Sequence, residues 1–381
     1  MADDVAGAHR MRVLLLSDPG LPSRRVNKIQ DKLEARMRQA YSREVELITR
    51  TETIRLRPDN TLDIASAGRL AGEYDHVDAV LLLTEIPRHS GERPLVAEVF
   101  PEHNVGVVSC PTLGAVATKR RILTVLMDCM ARLIPPASPS GPAPSGAVRS
   151  DAGAGAMSEH DDDRSQQGLR WTQWSEHSGG HQALRSKGGA GSVRTVLGMT
   201  MANDPWRTAP RLSSALAAAA ATGAFGIFYS SIWQMAAYLS TARLISIGVV
   251  AVVVMVSWLI VSNGLWDRPI YERLSRVVVL YNLSTILTLL ICVAALYLSL
   301  VVLILLGGLI IIAPEFMATI LDTTEVRFTN YLDIAWLSAA LGVVAGGLGS
   351  SFDSRTDLRK LTHGQRERQL QYATDDDDTT S

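Results

Sequence analysis

"VLLLSDPGLPSRR", Val13 to Arg25, decides how the first third of the chain is read. Four apolar residues run into Ser17-Asp18-Pro19-Gly20, and a basic, helix-like segment follows. An apolar run of that length, ended by a Pro-Gly turn, reads as a strand buried on both faces. The stretch has an echo in "VLLLTEIPR", Val80–Arg88, with the same order of apolar run, hydroxyl, carboxylate and proline. A third such end is "VGVVSCPTLGA", Val105–Ala115.

Between these ends the pattern alternates. Strands are expected at Arg12–Ser17, Glu44–Thr49, His76–Thr84 and Val105–Ser109, and Thr53–Leu56 extends or pairs with the second. Val26, Ile29, Leu33 and Met37 recur at helical spacing, which predicts a helix over Ser23–Tyr41 with Ser23 as N-cap. Further helices are expected at Asp63–Glu73 and Leu113–Leu133. Alternating strands and helices, with strands apolar on both faces, imply an α/β domain over residues 10–135, Rossmann-like, with a mostly parallel sheet.

Residues 136–192 change character. "SPSGPAPSG" and "DAGAGAMSEHDDD" hold no apolar period, so a disordered linker is expected. Trp171 and Trp174 interrupt it, either as a docking spot or as exposed aromatics in a tether. Residues 193–211 read as a juxtamembrane amphipathic segment, with Trp206 and Arg207 suited to an interface.

From 212 to 352 the chain reads as a transmembrane domain. The apolar runs are Leu212–Thr241, Leu244–Leu265, Val277–Pro314 and Tyr331–Phe352, against a need of about 20 residues per span. The third is long for one span and short for two. Arg268, Arg273 and Arg276 follow the second run, and Arg355, Arg359, Lys360, Arg366 and Arg368 follow the last, whereas Glu315–Asp333 is acidic. The positive-inside rule then gives four spans, with both termini cytoplasmic in a plasma-membrane protein. Five spans would put the basic tail outside. The long third helix must tilt or protrude, with a break expected near Gly307-Gly308. Residues 353–381 form a cytosolic tail, basic at first and acidic at Asp375–Asp378.

Composition narrows the functions. The net charge of -1 gives no argument for nucleic acid. Cys110, Cys129 and Cys292 are too few for a disulfide framework, and neither they nor the histidines show zinc spacing. The first apolar run is too short for a signal peptide. No G-x-G-x-x-G or P-loop motif is present, and no cofactor is implied. No ionisable residue lies deep in a span, which argues against a proton-driven transporter. Asn282 and Gln234 read as polar glue between helices.

Ligands of open α/β sheets bind at the carboxyl ends of the strands. Asp18, Ser23, Arg24, Glu85, Arg88 and Thr112 are the candidate ligand-binding residues there. Arg24 and Arg88 form a possible clamp for a small anionic ligand, with Lys119, Arg120 and Arg121 adding charge two turns along α-helical sequence. The competing reading makes Asp18 and Thr112 helix caps. Cys110 is the one catalytic candidate, with His89 or His103 as base, although Pro111 donates no N–H to an oxyanion hole. Gly342 and Gly346 in "GVVAGGLG" allow close helix packing, either in a homo-oligomer or within the chain.

"VLLLSDPGLPSRR", "RPLVAEV", "NDPWR", "NGLWDRP" and "GGLGSSFDS" together resemble a family of actinobacterial multi-pass membrane proteins, some labelled methylenetetrahydrofolate dehydrogenase. The resemblance implies the same two-part architecture. The dehydrogenases of that label resemble Rossmann-type enzymes with a catalytic lysine near a tyrosine. Lys28, Lys32 and Lys119, the lysines of residues 10–135, have no tyrosine at that spacing. Three functions follow as expectations: a membrane protein whose cytosolic domain senses a ligand or docks a partner protein, an enzyme of dehydrogenase or cysteine-hydrolase type, or an oligomeric membrane scaffold.

Overall fold

The computed structural model describes residues 10–52, 77–90, 93–116, 119–136, 169–176, 180–203, 205, 213–267 and 275–350. The expected elements at Thr53–Leu56 and Asp63–Glu73 lie outside them, as do Trp206, Arg207 and the tail. The chain divides between Ala202 and Asn203 into two compact units.

The first unit is built on a mixed eight-stranded sheet. Its strands are β1 (Met11–Ser17), β2 (Val45–Thr51), β3 (Ala79–Thr84), β4 (Arg88–Ser90), β5 (Arg93–Phe100), β6 (Val105–Ser109), β7 (Thr172–Glu176) and β8 (Gln182–Ser186). The order is β2-β1-β3-β6-β5-β8-β7, with β4 on β5. Pairing is parallel from β2 to β6 and antiparallel beyond, and six strands run in one direction. The central strands are apolar because both faces are covered. Val13, Leu15, Leu81, Leu83 and Val108 share one core with helices α1 (Leu21–Val26), α2 (Gln30–Tyr41) and α3 (Lys119–Leu133), while Leu14, Leu16, Val80, Leu82 and Val107 fill the other. Gly106 gives α3 its room, since a Cβ there would sit 3.1 Å from Leu81 and 3.2 Å from Cys129.

The expected Ser23–Tyr41 helix is two helices. Lys28 and Ile29 donate their N–H groups three residues back, to Arg25 and Val26, which tightens the turn between α1 and α2. Val26, Ile29, Leu33 and Met37 are nonetheless all buried, so the apolar face survives the break. Helix α3 begins at Lys119 rather than Leu113, after a 3-10 turn at Pro111–Leu113.

The expected disorder of 136–192 does not hold for its later part. β8 pairs with β5 and β7 with β8, so this hairpin completes the sheet. The two tryptophans hold it: the Arg132 guanidinium lies 4.0 Å from the Trp174 ring centre and Arg194 lies 3.8 Å from that of Trp171. Helix α4 (Ala190–Ala202) also belongs to this unit, and replaces the expected amphipathic segment over that range. Residues 137–168 therefore connect two parts of one domain in sequence, α3 and β7, rather than a soluble domain to a membrane domain.

Among the described residues of the second unit three helices are long and apolar enough to cross a membrane: α7 (Thr241–Asn263), α8 (Ser275–Ile311) and α10 (Phe328–Ser350). The first apolar run is bent instead. α5 (Ser213–Phe228) and α6 (Ser230–Tyr238) meet at 84°, with Tyr229 extended and the Trp233 indole N–H donating to the Gly226 carbonyl. They add a fourth crossing if the pair counts as one. α8 has no break at Gly307-Gly308; Ile312 donates to Gly308 through the last turn. Its 37 residues make about 55 Å of helix, well beyond the ~30 Å of a hydrocarbon core. A short helix, α9 (Pro314–Leu321), leads to α10.

Gly342 and Gly346 face α5 of the same chain. A Cβ on Gly342 would stand 2.5 Å from the Ala219 carbonyl oxygen, and one on Gly346 2.7 Å from the Ala219 nitrogen. Gly226 on α5 likewise accommodates Ser338 on α10. Gly342→Leu or Gly346→Leu is therefore expected to lower the thermal midpoint of the detergent-purified protein without changing its mass in solution. Dissociation of an oligomer by an otherwise stable variant would contradict the intrachain packing.

Candidate functional site

β1, β3 and β6 run parallel and end together, so their polar ends share one edge of the sheet. Asp18 closes that edge. Its Oδ2 accepts the Thr84 hydroxyl at 2.6 Å and the Glu85 N–H at 2.9 Å, and its own N–H donates to the Leu83 carbonyl. The carboxylate is buried and clasps the ends of β1 and β3. It caps no helix: the residue before α1 is Gly20, at a φ of 103° that favours glycine, with no side-chain cap. Ser23 is inside α1, and its hydroxyl is spent on the Gly20 carbonyl at 3.1 Å.

Glu85 follows β3, and its Oε2 lies 3.7 Å from where a Cβ on Gly20 would sit. Arg24 and Arg25 come from α1. Cys110 ends β6 with its N–H on the Thr84 carbonyl, fully buried. Burial pushes its thiol up to about 12, the Arg25 guanidinium acts the other way, and Asp18 and Glu85 raise it further. Asp18, Arg25, Glu85 and Cys110 are thus within electrostatic reach of one another. The thiol stays protonated at neutral pH, which removes it as a nucleophile. Neither His89 nor His103 hydrogen-bonds to Cys110 among the described residues.

Two of the candidates stand apart from this group. Arg88 does not wait for an anion, because it is ion-paired with Glu98 across β4 and β5 in a well-buried contact. Thr112 heads no long helix; it sits in the 3-10 turn and donates to the Ser109 carbonyl at 2.9 Å. This turn is covered by α4. A Cβ on Gly198 would be 2.0 Å from the Pro111 carbonyl oxygen, so only glycine permits the approach. The β6 end is therefore closed by α4, whereas Arg24, Arg25 and Glu85 on the α1 side are half-buried.

Sequence reasoning passed over Arg25, and read most of α4 as a juxtamembrane segment rather than as a cover for the β6 end. The stripe Gly191, Thr195, Gly198, Ala202 was the available signal, since small residues at helical spacing mark a close packing face. It passed over β5 as well, because Pro94 and Glu98 interrupt its apolar pattern. Among the described residues no group of three His, Cys, Asp or Glu is placed to hold a metal ion.

The chain thus combines a mixed α/β domain, whose described strand-end edge carries charge, with helices long and apolar enough to cross a membrane. No family model, no curated protein and no solved structure matches the chain.

Two consequences are measurable. Arg88→Ala leaves the Glu98 carboxylate buried and unpaired, and is expected to destabilise the fold by about 3–5 kcal/mol in chemical denaturation. A ligand clamp would lose binding and keep its stability. Burial pushes the His89 imidazole down to about 4, helped by Arg88 and opposed by a hydrogen bond to the Pro87 backbone. The unfolded chain takes up this proton first, so stability is full above about pH 6.5 and falls by up to about 3 kcal/mol towards pH 4. His89→Gln should flatten that part of the stability profile.

Proposed function

We propose that the protein is a plasma-membrane protein whose cytosolic α/β domain binds a small ligand or a partner at the open strand-end edge. Arg24, Arg25 and Glu85 frame the site, on strand ends that Asp18 holds together. The observation that carries this reading is the gathering of charge at the ends of parallel strands without catalytic geometry. Arg25, Asp18 and Glu85 surround a thiol that is held neutral. The Glu85 carboxylate and the Arg24 and Arg25 guanidinium groups, on neighbouring elements, suit recognition of a polar ligand by paired charges. The resemblance to actinobacterial multi-pass membrane proteins supports the same two-part design. The basic groups after the second and last apolar runs support four spans with both termini in the cytoplasm.

The test is thermal melting of the whole chain in detergent against nucleotides, nicotinamide cofactors, folates and phosphorylated metabolites. A ligand specific for the folded state adds about 2.7 kcal/mol of stability at a hundredfold excess over its dissociation constant. The gain should vanish in Arg24→Ala and Glu85→Gln. A stabilising ligand indifferent to both substitutions would move the site elsewhere, and turnover of a folate by the chain would make it an enzyme.

A further inference from the structure

A second surface of the α/β domain has a character that the strand-end site does not explain. Val193 and Leu197 lie one turn apart on α4 and are 61% and 43% exposed. Val116 is 73% exposed, in the loop before α3. Two arginines link the segments that carry them. The Arg121 Nη1 donates to the Val116 carbonyl at 3.2 Å, and the Arg194 stem packs on Gly114, two residues before Val116. Val193 and Leu197 thus form an exposed apolar pair on a helix that packs against the loop of Val116, and apolar surface gathered in this way marks an interaction site.

The charge around them is one-sided. Lys119 and Arg120 are exposed at the start of α3, beside Arg121, and no acidic residue lies in that first turn. Cations there oppose the helix dipole, so helix stability does not account for them. Among the described residues no carboxylate pairs with Lys119, Arg120, Arg121 or Arg194. Desolvation by burial, and then the Arg121 charge, pull the Arg194 pKa down.

We propose that this apolar and basic face is a docking surface for the anionic headgroups of the bilayer. Three features choose that occupant. The uncompensated cations match an anionic leaflet, to which each basic residue near the surface adds about five-fold in affinity. The apolar side chains suit the boundary of headgroup and acyl chain. In sequence, Leu197 is five residues before Ala202, where the first unit ends and the apolar unit begins. The inference rests on the reading of the second unit as membrane-embedded.

The experiment places the full chain in nanodiscs of phosphatidylcholine, alone or mixed with phosphatidylglycerol. Amide hydrogen exchange is followed over 114–116, 119–121 and 190–201. Slower exchange in the anionic discs is expected, reversed by salt. Arg120→Gln and Arg121→Gln should each weaken the docked state about five-fold. The pair Val193→Ser and Leu197→Ser should abolish it with the melting midpoint unchanged, because these side chains are outside the core. Equal exchange in both discs, with the chain retained in vesicles through an alkaline wash, overturns the docking surface and leaves the membrane reading standing. Release of the chain by that wash overturns both. Protection that persists in detergent with a doubled mass assigns the face to a second copy of the chain and overturns the lipid assignment.

Discussion

The contact of Gly198 with the Pro111 carbonyl oxygen is the constraint on which much of the α/β domain depends. A helix can approach a turn so closely only where it has no side chain. Because it does, α4 covers the end of β6, buries Cys110 and Thr112, and brings Arg194 over Trp171. Trp171 precedes β7, and Trp174 within β7 is held by Arg132 of α3. One close approach therefore links the strand ends to the hairpin that extends the sheet. It also ends four residues before the boundary of the second unit.

This closure changes what the strand-end edge can do. Three parallel strands deliver a similar set of residues, but their fates differ. Asp18 is consumed in holding β1 to β3, and Thr112 in bonding its own turn. Arg88 neutralises the one carboxylate buried inside β5. On the α1 side Arg24, Arg25 and Glu85 remain partly exposed. The same logic applies to the thiol. A cysteine becomes reactive where positive charge and water reach it, and here burial is the larger influence.

The second unit follows different rules, since its apolar exterior leaves shape to small residues and to hydrogen bonds among helices. Gly342, Gly346 and Gly226 set the distance between α5 and α10. Polar groups are gathered on one end of α8. Asn282 exchanges two hydrogen bonds with the Asp267 backbone, and Thr288 accepts from Asn203 while donating to the Ser284 carbonyl. Asn282 is polar glue, but between a helix and a loop. Gln234 reaches the Ile320 carbonyl at the end of α9.

The sequence by itself determined the local order: four strands, three of them buried, the apolar face through Val26, Ile29, Leu33 and Met37, and the long apolar helices. These depend on spacing within one segment, which the residues state directly. Partnership was decided only by the tertiary structure. Whether Trp174 and Trp171 dock depends on Arg132 and Arg194, about 40 and 20 residues away along the chain. Whether a buried Glu98 is tolerated in β5 depends on Arg88, and whether Arg88 is free depends on Glu98. The Pro- and Gly-rich stretch read as the end of a domain because its composition carries no period. The chain nevertheless returns to the sheet beyond it, since β5 offered an edge and β8 the matching apolar face. Composition reports what a segment prefers alone, and only packing reports what a distant segment offers it.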